Sequence, residues 1–360
     1  MNCYWPSPRG STHQLSGRPQ ERSIMEAVNS GGSTKAEELT SLSETLGSHR
    51  KRAATRTASG FAWAVLIYML GVILWGAYVR ASGSGAGCGN HWPLCNGEVI
   101  PTSPQKQRLI EFTHRVTSGL ALISVLALLY LTWRATARRA WARIAAVLSL
   151  VFMLNEALLG ALLVLLHHVG SDHSASRAVL LSLHLANTLL LIGSITLTAR
   201  WLADPPARSD FSGKKVGAIV IALVCAIFIG ISGVLAALGD TLFPATSLGS
   251  SIRSDFLTTS HFLLRLRLLH PAIAILGAAY VVWLFAACVL KSSGAVRKLA
   301  IAMILLIALQ ISLGALNILL LAPIWLQVTH LLAADLFWVL LVLVSDQALR
   351  MQRKPLSFPL

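Results

Sequence analysis

Eight apolar runs alternate with short polar segments along most of this chain, at roughly residues 61–79, 109–133, 141–165, 178–202, 214–238, 264–290, 296–322 and 326–348. A helix needs about 20 consecutive apolar residues to cross the hydrocarbon core of a bilayer, so the pattern predicts eight transmembrane helices. Residues 1–60 differ. They are rich in Ser, Gly, Thr and charged residues, show no sustained apolar periodicity, and are expected to form a disordered tail. Within the tail, residues 36–46 are the one candidate for a surface helix. No signal-peptide core precedes the first run, and Met25 is a candidate start.

Composition agrees with this picture. Of 360 residues, 55% are hydrophobic and only 12% charged, with a mean hydropathy of +0.66, which excludes an ordinary soluble domain. The formal net charge of +15 raises nucleic acid as a partner, and its distribution argues against one. Basic residues cluster at Arg50, Lys51, Arg52 and Arg56, at Arg134, Arg138, Arg139 and Arg143, and at Arg200, Arg208, Lys214 and Lys215. They recur at Lys291, Arg297 and Lys298, and at Arg350, Arg353 and Lys354. If all eight runs span, every cluster falls on one side, which the positive-inside rule assigns to the cytoplasm together with both termini. The expected setting is a bacterial inner membrane, with the lipid bilayer as the surrounding partner.

Four histidines carry the candidate chemistry. His114 lies just inside the second run and His184 just inside the fourth; His270 and His330 repeat the arrangement in the sixth and eighth, displaced by 156 and 146 residues. All four sit near the external starts of even-numbered spans. Ionisable groups inside a membrane are costly, and two His per half is a pattern suited to clamping a planar metal macrocycle inside a bundle. The repeat extends further. Leu159-Gly-Ala-Leu162 matches Leu313-Gly-Ala-Leu316, Glu156 matches Gln310, and Gly76 is paired with Gly230, all displaced by 154. The expected fold is an all-α integral membrane protein whose eight helices form two tandem pseudo-symmetric four-helix bundles, related by an axis along the membrane normal. Its divisions are a cytoplasmic tail (1–60), an N-terminal bundle (61–203), a linker (204–213), a C-terminal bundle (214–349) and a C-terminal tail (350–360).

With these residues in place, the chain resembles the haem A synthases of cytochrome oxidase assembly. The string Gly76-Ala-Tyr-Val-Arg80-Ala-Ser-Gly-Ser-Gly-Ala-Gly-Cys88, leading into Trp92-Pro-Leu-Cys95-Asn-Gly97, looks like that family's first external loop. Glu111-Phe-Thr-His114-Arg115 looks like its Glu-x-x-His-Arg motif. The resemblance covers about 60–350. It departs at His270-Pro271, where a His-Arg pair is common, and at 239–263, which lacks a second cysteine pair seen in some members. It implies oxidation of the C8 methyl of haem O to a formyl group, giving haem A. It further implies that His270 and His330 hold a haem b cofactor through its iron, and that His114 and His184 ligate the iron of the substrate haem. A haem O synthase (protohaem farnesyltransferase) and cytochrome oxidase assembly factors are the implied partners. A homo-oligomer is a further expectation.

The residues themselves add detail. Glu111 is three positions before His114 and shares its helix face, whereas the second half has Arg267 at that spacing from His270. Glu111 is therefore the candidate catalytic proton acceptor; a helix-end carboxylate held by the dipole is the bland alternative. Glu156 is expected to make a structural hydrogen bond across the bundle. Arg80 and Arg115 are candidate contacts for haem propionates, with headgroup contact as the alternative. Cys88 and Cys95 share an external loop in an oxidising compartment, which favours a disulfide over two free thiols. Cys225 and Cys288 read as small apolar core residues. His91, His167, His168, His173 and His261 read as solvated interfacial groups. Two other functions remain at this stage. A di-haem electron-transfer cytochrome would hold two permanent haems, and a transporter would show broken helices at the midplane.

Overall fold

The computed structural model describes residues 19–102, 105–138, 140–206, 213–257, 259–291 and 294–350. Cys3, Arg139, Arg208, Arg353 and Lys354 lie outside them, as do the side chains of Lys214, Lys215, Cys288 and Lys291. The described chain is helical throughout: α1 (Pro19–Ala81), α2 (Lys106–Ala135), α3 (Trp141–Leu165), α4 (Ala175–Ala203), α5 (Gly213–Leu242), α6 (Leu248–Phe256), α7 (Phe262–Lys291), α8 (Gly294–Leu319) and α9 (Ile324–Arg350). Its one bridge of β type joins Cys95 to Glu98. Eight helices, all but α6, are long and apolar enough to cross a membrane. Their outward residues are apolar too, among them Ile123 and Tyr130 on α2, Leu158 on α3, Phe228 on α5, Leu276 on α7 and Leu305 on α8. Such a surface is unstable in water and is what a hydrocarbon solvent requires.

Two elements differ from the sequence expectation. Helix α1 begins at Pro19, so residues 19–60, expected as a disordered tail with one candidate surface helix at 36–46, are helical. Residues 40–54 are exposed, and helix there rests on local backbone hydrogen bonds with no core beneath it. The short α6 was not expected. Ser247 and Ser250 form a reciprocal capping box at its start, a signal hidden in a segment read only as a loop. Helix α7 runs through Pro271, which removes the intrahelical donor for the Arg267 carbonyl.

Packing follows the repeat. Helix α2 packs on α3 and α3 on α4; correspondingly α7 packs on α8 and α8 on α9, with α5 against α7. Between the halves, α4 meets α5 and α9, and a single apolar core draws Met69, Leu128, Ile192, Phe285, Met303 and Leu341 from both sides. Trp338 of α9 lies over Gly193 of α4 and donates its indole N–H to the Leu189 carbonyl at 2.6 Å.

At the C-terminal ends of α4 and α9, four charges close a ring of alternating sign. Arg200 pairs with Asp204 at 2.9 Å and Arg350 with Asp346 at 2.7 Å within their own helices. Across the halves, Arg350 meets Asp204 at 3.1 Å and Arg200 meets Asp346 at 3.5 Å. Positions 146 apart carry opposite charges, so the repeat converts a like-charge clash into attraction. Asp346 also accepts the Trp201 indole N–H at 2.8 Å and is only 8% exposed. Asp346→Ala strands that donor and leaves Arg200 and Arg350 to share Asp204, a change worth about 1–3 kcal/mol. A lower thermal unfolding midpoint in detergent is expected, and an unchanged midpoint would show that the ring contributes nothing.

Candidate functional site

Each of the four histidines lies against a glycine of the preceding span. His114 (α2) faces Gly76 (α1), His184 (α4) faces Gly160 (α3), His270 (α7) faces Gly233 (α5), and His330 (α9) faces Gly314 (α8). A Cβ at Gly76 would stand 2.8 Å from His114 Cε1, and one at Gly233 would stand 3.1 Å from His270 Cε1; the distances at Gly314 and Gly160 are 3.4 and 4.0 Å. At Gly76 and Gly233 the missing side chain is what lets the ring approach the neighbouring helix backbone, whereas at Gly314 and Gly160 a Cβ would make ordinary contact. The pairing of Gly76 with Gly230 is corrected by this geometry. Gly230 packs against Leu185 and Leu189 of α4, and Gly233 is the residue against His270. The match of Leu159–Leu162 to Leu313–Leu316 holds, because Gly160 and Gly314 do the same thing.

The structure brings His270 and His330 together. Their ring centres are 6.5 Å apart and their planes cross at 85°. Two imidazole–metal bonds of about 2.0 Å, plus roughly 1.1 Å from each ligating nitrogen to its ring centre, give a span of about 6.2 Å. One metal ion between the rings therefore fits the observed separation. The buried Nδ1 atoms of His114, His184 and His330 have no hydrogen-bond partner among the described residues, while His270 Nδ1 lies 2.9 Å from the Ser232 hydroxyl. No three His, Cys, Asp or Glu side chains among the described residues are grouped to hold an ion by themselves. A metal at either pair needs further donors from a ligand that brings its own, as a haem does.

Carboxylates and arginines complete the surroundings. Glu111 is 3% exposed. It accepts the Cys88 backbone N–H at 2.8 Å and forms an ion pair with Arg115 at 2.5 Å. Arg115 reaches on to the carbonyls of His91 and Leu94, both at 2.6 Å. These bonds fasten the loop closed by the Cys88–Cys95 disulfide onto the start of α2. Arg80 donates to the Ala237 carbonyl and Thr241 hydroxyl at 2.8 Å and to Gln327 at 3.1 Å. It thus ties α1 to α5 and α9, three residues before His330. Arg267 pairs with Asp240 at 2.7 Å and with Asp255 of α6, holding that short helix to α5 and α7.

Of the four paired histidines, His184 has a carboxylate beside it among the described residues: Glu156, whose Oε1 lies 3.5 Å from His184 Nδ1. It also receives the Asn187 amide and the Thr188 hydroxyl, each at 2.5 Å. The cross-bundle hydrogen bond expected for Glu156 is therefore present, with a histidine contact that sequence spacing did not show.

The model of a cytochrome oxidase assembly protein family (COX15-CtaA) matches residues 59–342. The chain belongs to this family. Among its relatives, a Thermus thermophilus protein named "Protoheme IX farnesyltransferase" is 45% identical over 301 residues, covering 83% of this chain and 50% of the relative. A "Heme A synthase" of Geobacillus kaustophilus is 43% identical over 106 residues, 29% of this chain and 33% of the relative. One of Bacillus licheniformis is 34% identical over 151 residues, 42% and 47%. The chain spans about half the length, or less, of the curated relatives it matches.

All four histidines, the disulfide loop and the Glu111–Arg115 pair fall inside the region matched by this oxidase-assembly family. His167, His168, His173 and His261 lie at or just beyond the ends of α3, α4 and α7 that adjoin the histidine pairs. His168 lies 2.7 Å from Asp172, and the rings of His173 and His261 meet edge to face with centres 5.3 Å apart. Burial and the neighbouring His173 hold His261 below its ordinary pKa.

Proposed function

We propose that this protein is a haem A synthase that oxidises the C8 methyl group of haem O to a formyl group. The observation that carries the reading is the fourfold His–Gly arrangement inside a chain of the oxidase-assembly family, with one pair spaced to grip a single metal ion. In this reading His270 and His330 hold a resident haem b, and His114 and His184 hold the substrate haem. A haem held by such a histidine pair would supply one-electron chemistry. Balanced with water as the oxygen source, converting a methyl to a formyl group releases four protons and four electrons, and the electrons must pass to an oxidant from outside the chain. The polypeptide must therefore orient the ring and give the protons a path. His114 and His184 orient it, the first seated closely on Gly76 and the second beside Glu156. Glu111, at the loop-side end of α2, is the proposed proton acceptor, and Arg115 holds it in place. Arg80 and Arg115 are the proposed propionate contacts, through N–H groups beyond those bound to the protein.

The disulfide supports an oxidising compartment on the face that carries the histidine pairs, and the basic residues at the opposite helix ends support a cytoplasmic location for both termini. The proposed setting is the bacterial inner membrane, with two tandem bundles related through the membrane normal. The substrate is supplied by a protohaem farnesyltransferase, the activity for which the Thermus relatives are named. Oxidase assembly factors and a second copy of the chain are the remaining proposed partners. The deciding test is extraction and chromatography of haem from cells making a haem O synthase, with and without this chain. Haem A should appear only when the chain is present. Two tightly held haem B molecules and no haem A would establish an electron-transfer cytochrome instead.

A further inference from the structure

We infer that Glu156 and Gln310, which occupy equivalent places in the two repeats, set the two histidine pairs apart electronically, making iron at His114/His184 the lower in reduction potential. This deepens the haem reading above and rests on it. Glu156 stands one helical turn before Gly160, the glycine against His184; Gln310 stands one turn before Gly314, the glycine against His330. Each therefore shares a helix face with the residue touching its histidine. In the first half that place holds a carboxylate, 3.5 Å from a buried Nδ1 that has no hydrogen-bond partner among the described residues. Asn187 and Thr188 of α4 hold the carboxylate there at 2.5 Å each. The single hydroxyl hydrogen of Thr188 has its shorter option at Glu156, the His184 carbonyl lying at 2.9 Å.

The second half has lost both the charge and its holders. Displacement by 146 carries Asn187 and Thr188 onto Ala333 and Ala334, and the buried Gln310 Oε1 has no hydrogen-bond partner among the described residues. Among the described residues, His270 Nδ1 in that pair is met by a neutral hydroxyl, that of Ser232. A carboxylate beside the non-ligating nitrogen of a metal-bound imidazole fixes its orientation and makes it a stronger donor. Stronger donation stabilises the ferric state and lowers the potential; a neutral amide or hydroxyl does so far less. Glu156 is thus a positioning and tuning residue, and the repeat contains its own neutral control.

The test exchanges the two residues. Unmodified protein, Glu156→Gln and Gln310→Glu would each be purified with resident haem, loaded at the first pair with haemin, and titrated for both midpoint potentials by optical spectroscopy. Glu156→Gln should move the lower potential upward and leave the other in place, with both haems low-spin. Gln310→Glu should move the higher potential downward, and this arm stands even if Glu156→Gln fails to take up haemin. Potentials unmoved in a variant that keeps both low-spin haems would overturn the assignment, as would a Glu156→Gln shift at the second pair alone. Unmodified protein that takes up haem at neither pair overturns the haem reading, and this inference with it. Two haems whose potentials ignore the exchange overturn this inference only.

Discussion

Replacing His270 or His330 with Ala is expected to abolish the low-spin haem b spectrum of the purified protein, while His114→Ala leaves it intact. The two rings stand 6.5 Å apart, a separation set by the helices that carry them. Ser232 orients His270 at Nδ1, and Gly233 and Gly314 seat the two rings. Ala removes a ligand without adding bulk, so the partner imidazole remains, and iron with one strong axial ligand becomes high-spin or is lost. Each helix also buries an apolar face that the substitution does not touch, so the variants should still insert and purify. Normal low-spin haem b in both variants would show that the resident haem is elsewhere. Its loss in His114→Ala instead would place the resident haem at the first pair and reverse the proposed roles.

The spans were legible because a bilayer imposes one simple demand, about 20 apolar residues per crossing, and all eight runs met it. The histidine register was legible because each half repeats it at nearly constant displacement. Contacts made between helices were not. Choosing Gly230 as the partner of Gly76 followed a fixed displacement of 154, but three residues turn a helix by most of a revolution, and Gly233 is the one that faces His270. Spacing along one helix drew attention to Glu111 beside His114. The structure shows Glu111 bound to Arg115 and the disulfide loop, and puts Glu156 against His184 from the adjacent helix. A usable signal existed, since Glu156 lies one turn before the glycine of the repeated Leu-Gly-Ala-Leu string. The charge ring had one as well, in the sign reversal of Arg200 and Asp204 against Asp346 and Arg350. Asp335, fully buried on α9 with neither oxygen hydrogen-bonded among the described residues, had no repeat partner to mark it; the position 146 earlier is Leu189.

Glu111→Gln is expected to keep haem b and the disulfide yet lower conversion of haem O to haem A by at least about tenfold, against the hundredfold or more that a positioned acid–base group usually contributes. Glutamine preserves the shape of the side chain and an oxygen for the Cys88 N–H, now 2.8 Å from the carboxylate. It removes the negative charge that faces Arg115 and the site able to take up a proton. The loop has other anchors, the Arg115 bonds to the His91 and Leu94 carbonyls, so a fall in turnover need not follow from its release. Arg115→Gln is the comparison, because it releases the loop and a proposed propionate contact yet leaves the carboxylate. If proton removal is the task of Glu111, Glu111→Gln should be the more damaging of the two, with haem O or a hydroxylated intermediate accumulating in co-expressing cells. Equal losses in both variants, with labelling showing a loosened loop in each, would make Glu111 an anchor of the disulfide loop. An unchanged yield of haem A from Glu111→Gln would remove it from the chemistry altogether.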